Sequence, residues 1–222
     1  MNFCNCISFD YFVLCFLFLI YKIESASYAD SLQIVAQFNI IQFKKNENET
    51  INCKTCMPAG IKLSSNGTIF CSFPRWYDNV TATFARYNPN EKIFEPWPSF
   101  EENQRHVNDS ASGINSVLGF EIDMDDNLYI LDQGKINGSA AKEGSIKLIH
   151  YNLTTGNKIR DYIFDSSIAD LENSFLNDVV IDPQKKRAYI SDSGISIHGN
   201  VSYYKPGIIV LDLESPYNVH RI

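Results

Sequence analysis

Apolar and polar residues alternate along three stretches of this chain that resemble one another and recur about every 59 to 60 residues. Gly60-Ile61-Lys62-Leu63-Ser64 opens the first, which runs on to Ile69-Phe70-Cys71. Gly119-Phe120-Glu121-Ile122-Asp123 opens the second, which ends Leu128-Tyr129-Ile130-Leu131-Asp132-Gln133-Gly134. Asp178-Val179-Val180-Ile181-Asp182 opens the third, which ends Ala188-Tyr189-Ile190-Ser191-Asp192-Ser193-Gly194. An alternating run, a polar turn and a second alternating run predict a β-hairpin in each copy, with Asn66-Gly67 as the first turn.

Outer strands are predicted over residues 83–87 and 92–94, 146–151 and 158–164, and 207–213. Residues 28–43 read as an extended opening strand and residues 44–52 as a polar loop. Residues 95–117 and 165–177 read as long connections, the second with one short helical turn. No long amphipathic helix is predicted, which removes α/β folds. Each unit offers four short antiparallel strands, so the expected fold class is all-β, an array of sheets such as a propeller. Three units fall short of the roughly four to eight that close such a ring. The sequence therefore reads as part of a longer protein, or as a chain that self-associates.

Residues 1–27 stand apart. The run Phe12-Val13-Leu14-Cys15-Phe16-Leu17-Phe18-Leu19-Ile20 is followed by Ser25, Ala26 and Ser27. That apolar core is short for a bilayer span and has the form of a secretory signal peptide, cleaved before Tyr28. No later segment is long and apolar enough to cross a membrane, and the expected localisation is extracellular. The domain reading is thus a signal peptide at 1–27 and a partial propeller domain at 28–222.

Charge and composition narrow the partners. The 222 residues include 19 Lys and Arg against 26 Asp and Glu, a net charge of -7, with no basic cluster. Nucleic acid is excluded on that ground. Hydrophobic residues make up 45% of the chain, enough for a buried core. Glycosylation sequons stand at Asn48, Asn66, Asn79, Asn108, Asn137, Asn152 and Asn200, most of them in predicted turns or loops. Cys53, Cys56 and Cys71 follow the signal, an odd number that implies at least one free or intermolecular thiol, or a partner further along the chain. A structural disulfide involving Cys71 is expected, its partner left open. The lone Cys53-Lys54-Thr55-Cys56 is a weak signal for redox or zinc chemistry.

Several ordered motifs carry a family likeness. Met57-Pro58-Ala59-Gly60-Ile61, Phe73-Pro74-Arg75-Trp76 and Ser116-Val117-Leu118-Gly119-Phe120-Glu121-Ile122-Asp123 resemble segments of the yellow/major royal jelly protein family. So do Leu128-Tyr129-Ile130-Leu131-Asp132-Gln133-Gly134, Leu176-Asn177-Asp178-Val179 and Ala188-Tyr189-Ile190-Ser191-Asp192-Ser193. The likeness runs from about Phe38 to Ile222 and implies the amino-terminal half of a secreted six-bladed propeller, about three four-stranded blades. Cys53 and Cys56 depart from the family pattern, so no family disulfide is carried over. The resemblance implies several activities: dopachrome conversion linked to pigmentation, binding of a biogenic amine in the channel, or a matrix or nutritive role.

The candidate site residues follow from type and spacing. Arg75 and Trp76 would offer a guanidinium and an indole face to an aromatic or anionic ligand. The plainer alternative packs Trp76 between sheets and pairs Arg75 with an acid. Glu121 and Asp123, two apart on a strand, would face one way, to bind a cation or amine or to transfer a proton. Alternatively they flank the turn at residues 124–127 as a solvated face. Asp132 and Asp192 hold matching repeat positions and read as turn or inter-sheet hydrogen-bonding groups. Asn177 and Asp178 end a long connection and begin a strand, a suitable place for ligand groups. Their stretch also resembles calcium-dependent gluconolactonase-type propellers, which implies Asn177 as a calcium ligand; no other cofactor is expected.

His106, His150, His198 and His220 show no ligand spacing, and no nucleophile elbow or phosphate loop is present. The leading expectation is a secreted glycoprotein that binds a small aromatic or amine ligand through Arg75, Trp76, Glu121, Asn177 and Asp178. The alternatives are a non-catalytic matrix or nutritive protein, a calcium-dependent lactonase, and a dopachrome isomerase. In the last, Glu121 abstracts a proton while Arg75 or Asn177 steadies the oxyanion.

Overall fold

A computed structural model provides the structure and describes residues 36–104, 109, 111–194 and 206–222. The expected signal peptide, the sequons Asn108 and Asn200, and His106 and His198 lie outside the described residues. The described strands form three separate sheets. The first contains β1 (Ile41–Asn46), β2 (Glu49–Cys53), β3 (Ile61–Leu63), β4 (Ile69–Ser72), β5 (Phe84–Asn88) and β6 (Ile93–Pro96), in the order β2-β1-β6-β5-β4-β3. The second contains β7 (Val117–Ile122), β8 (Asn127–Asp132), β9 (Lys147–Asn152) and β10 (Asn157–Ile163), in the order β10-β9-β8-β7. The third runs β11 (Leu176–Asp182), β12 (Arg187–Asp192), β13 (Gly207–Asp212) and β14 (Val219–Arg221) in chain order.

All neighbours are antiparallel except β1 and β6, which meet in parallel at Phe43 and Phe94. The hairpins and most outer strands fall where the alternation places them. Gly67, at φ 82° in the first hairpin turn, takes a left-handed conformation that a side chain would resist.

The propeller expectation is corrected. The fold is all-β, but its three small sheets are open, and none closes into a barrel or a propeller. The first is six-stranded rather than four-stranded. Residues 44–52, expected as a loop, instead form most of the β1–β2 hairpin, with the turn just before Glu49. Its residues are polar because β2 lies at an edge with little to bury, so no apolar alternation marks it.

The disulfide expectation is corrected as well. Cys53 bonds to Cys56 across the end of β2, and Cys71 is a buried free thiol. Cys71 sits mid-strand on β4 among Phe73, Ala85 and Phe94 and acts as a small apolar core residue.

Alternation explains how the sheets stack. Leu128 and Ile130 of β8 pack with Phe70, Phe84 and Trp97 of the first sheet's side. Tyr129 and Leu131 of the same strand pack with Val179, Ala188, Ile190 and Ile209 of the third sheet. β8 is thus buried on both faces, which is why Leu128 to Leu131 is apolar without a break. Aromatic edges lock the first interface: Phe84 meets Phe120 with centroids 4.9 Å apart, and Trp97 meets Tyr151 at 4.7 Å.

Candidate functional site

The strands that open the three repeat copies, β3, β7 and β11, are brought side by side by two glycines. A Cβ on Gly60 would stand 2.9 Å from the Leu118 carbonyl oxygen. One on Gly119 would stand 2.6 Å from both the Asn177 carbonyl oxygen and the Asp178 Cα. Only a residue without a side chain allows backbones this close. Both β7 and β11 also carry a bulge here, between Val117 and Phe120 and between Leu176 and Asp178. Bulges redirect side chains, and they are common beside functional sites.

This packing joins two charged groups from different sheets. Lys62 Nζ of β3 lies 2.8 Å from Glu121 Oε2 of β7, and both side chains remain partly open to solvent. Glu121 Oε1 accepts a bond from the Ile122 N–H at 3.0 Å, which fixes the carboxylate's orientation. On β11, Asn177 and Asp178 are exposed. Asn177 Nδ2 donates to Ser193 Oγ at 3.3 Å, and Asp178 Oδ1 accepts from the Val179 N–H at 2.9 Å. Lys62 and Glu121 therefore meet between β3 and β7, while Asn177 and Asp178 of β11 pack against Gly119, two residues before Glu121.

Asp123 does not converge with Glu121 on a ligand space. Its Oδ1 accepts from the Asp125 N–H at 3.0 Å and the Asn127 N–H at 2.8 Å, so it builds the β7–β8 turn. Arg75 is buried in the segment after β4. Its Nε donates to the Asn115 carbonyl at 2.8 Å, and its two other nitrogens donate to the carbonyls of Val80 and Asn103. Ser116 Oγ accepts from its backbone N–H at 3.0 Å. Arg75 thus fastens the loop ahead of β5 to the start of β7, a strand's length from Glu121. Trp76, beside it, is 39% exposed.

Asp132 and Asp192 are fully engaged. Asp132 accepts from the N–H groups of Asn115, Ser116 and Gly134 at 2.7, 2.8 and 2.9 Å. Burial pushes its carboxyl above the ordinary range, opposed by Lys147 and those donors. Asp192 repeats the pattern with the N–H groups of Phe175 and Gly194, and it adds Arg221 at 2.7 Å. Each carboxylate closes the end of its hairpin.

Calcium takes roughly six to eight oxygen ligands. Among the described residues no group of three or more His, Cys, Asp and Glu side chains is placed to hold a metal ion. No helix among the described residues is long and apolar enough to cross a membrane.

Lys62 was not among the residues singled out from sequence. Its signal was the repeat: Lys62, Glu121 and Val180 occupy the same position in the three copies. The buried Lys135 was missed too. Its Nζ donates to the Glu172 carbonyl, and burial lowers its pKa against the pull of Asp170, Asp192 and Glu172.

Comparison with known proteins bears on part of the chain. Residues 115–222 match the sequence model of the family described as Major royal jelly protein. The expectation of an amino-terminal half-protein likeness starting near Phe38 is corrected, because the match falls in this chain's second half, after the whole six-stranded sheet. The chain is 24% identical over 196 residues to the dopaminechrome tautomerase of Drosophila melanogaster, an alignment covering 78% of this chain and 42% of that protein. It is 25% identical over 133 residues to the protein yellow of Drosophila madeirensis, covering 57% of this chain and 23% of that protein. It therefore spans less than half the length of either relative. Among solved structures, hydrazine synthase of Kuenenia stuttgartiensis aligns at a TM-score of 0.48 and 15% identity, over 74% of this chain and 42% of that one. The likeness to the yellow and royal jelly proteins is distant and stands at the level of the family.

Proposed function

We propose that this chain forms part of a tautomerase that moves a proton within a small dopaminechrome-like substrate. The observation that carries the reading is the Lys62–Glu121 pair, 2.8 Å apart and partly open to solvent, on a strand whose Gly119 packs against Asn177 and Asp178 of β11. The distant likeness to a dopaminechrome tautomerase supports the choice of reaction.

A tautomerisation breaks a C–H bond, shifts the electron pair through the conjugated system to an oxygen or nitrogen, and returns the proton there. No electrons are gained or lost overall. It needs a base at the carbon and a positive or donating group at the heteroatom. The Glu121 carboxylate supplies the base. The Lys62 ammonium supplies the cation for the developing oxyanion, and the Asn177 amide supplies a neutral donor from β11. The Cys53–Cys56 disulfide supports passage through an oxidising compartment, in keeping with secretion.

The test is turnover by the full-length protein. Glu121→Gln keeps the side chain's shape and removes its basicity, so kcat/KM for dopaminechrome should fall about 10²- to 10⁴-fold. Unchanged turnover in that variant, with the fold intact by circular dichroism, removes Glu121 from the reaction.

A further inference from the structure

We propose that Asn48 and Asn152 carry N-linked glycans that shield two outer edge strands, β2 and β10, from pairing with other copies of the chain. Among the described residues, β2 pairs with β1 alone and β10 with β9 alone. Each therefore presents a row of backbone N–H and C=O groups to any strand that approaches, which is the template for edge-to-edge association. On β10 the hazard is sharpened by Ile159 and Ile163, 55% and 51% exposed. The third outer strand, β14, has only 3 residues and offers little to pair with. The inner strands β3, β7 and β11 are packed against one another.

The two sequons stand where shielding is needed. Asn48 is exposed in the β1–β2 turn and immediately precedes Glu49, the first residue of β2. Its N–H donates to Asn46 Oδ1 at 2.9 Å, which holds the turn and directs the residue outward. Asn152 is the last residue of β9 and lies directly opposite Asn157, the first of β10. Its Oδ1 accepts from the Thr155 N–H at 2.9 Å, while a glycan attaches to the amide nitrogen.

Asn79 and Asn137 differ. Both lie in loops; Asn137 Nδ2 donates to Asp78 Oδ2 at 2.9 Å, whereas the Asn79 carbonyl stands 3.5 Å from Cys53 Sγ at the end of β2, so of the two Asn137 serves as the control. The Cys53–Cys56 disulfide, at the end of β2 itself, independently supports the compartment in which such glycans are added. A hydrated glycan beside an edge blocks a second strand sterically and leaves the sheet's own hydrogen bonds intact.

The experiment begins with glycopeptide mass spectrometry of the full-length protein secreted by eukaryotic cells. Both Asn48 and Asn152 should be occupied. The double variant Asn48→Gln with Asn152→Gln should show a several-fold larger associated fraction by light scattering than the natural protein. The control Asn137→Gln should not. Because a misfolded variant also associates, Thr50→Lys and Ile159→Lys are then added to the first double variant. Those charges protect an edge in the glycan's place and should restore a monodisperse protein. Either site bare, a double variant as monodisperse as the natural protein, or association unmoved by the two lysines would overturn the proposal.

Discussion

At the scale of single residues, Arg75 shows how a promising sequence motif becomes a structural fastener. Its guanidinium donates to the carbonyls of Asn115, Val80 and Asn103 inside the protein, where water cannot take its place. Arg75→Met should therefore cost about 3 kcal/mol or more, because buried acceptors are left without donors. Arg75→Lys should recover little of it, since an ammonium lacks the planar fork that reaches several carbonyls at once. The midpoint of urea unfolding reads both. Cys71 makes a second prediction. Burial pushes its thiol from 9.0 up to about 12. A raised folded-state pKa means the folded chain holds this proton more tightly than the unfolded chain. Its contribution to stability is full below pH 9 and is lost as pH rises toward 12. Cys71→Ala should flatten that part of the stability curve, and the native thiol should resist alkylation at pH 8 until the protein is unfolded. Neither result was legible in the sequence. Arg75-Trp76 shows residue types but not the three carbonyls around them, and Cys71 shows a strand position but not the distance to another sulfur.

Among elements, the hairpins were legible and the contacts between them were not. The turns at Asn66-Gly67 and at residues 154–157 carry their own chemistry, Gly and Asn in left-handed or side-chain-capped positions. The β1–β2 hairpin carries no such apolar record, because β2 exposes most of its residues. Gly119 was legible only as the start of an alternating run. Its structural role is the near contact with Asn177 and Asp178, which sets the spacing of β7 and β11. Gly119→Ala places a methyl 2.6 Å from backbone atoms that cannot swing away. The expected loss is about 1 to 3 kcal/mol, the range for overpacking a tight contact. It should be read by thermal unfolding together with a fall in turnover, since the same contact sets Glu121 beside β11. Loss of stability without change in turnover would detach the glycine from the site.

For the whole molecule, the repeat was legible as three sheet-forming units, and their arrangement was not. Stacking buries both faces of β8, through Leu128 and Ile130 on one side and Tyr129 and Leu131 on the other. The sheets stay open rather than closing into a ring, and the first takes two additional strands through the Phe43–Phe94 contact. What this stacking produces is a charged pair whose members belong to different sheets. No local pattern reveals Lys62 beside Glu121, although their shared repeat position records it in retrospect. The most direct test is a double-mutant cycle in kcat/KM for dopaminechrome, using the full-length protein with Lys62→Met, Glu121→Gln and both together. If the two side chains act as one unit, each single change lowers turnover and the double variant is little worse than the poorer single variant. Losses that multiply, as for two independent positions, or turnover indifferent to Glu121→Gln, would contradict a site assembled between the first two sheets.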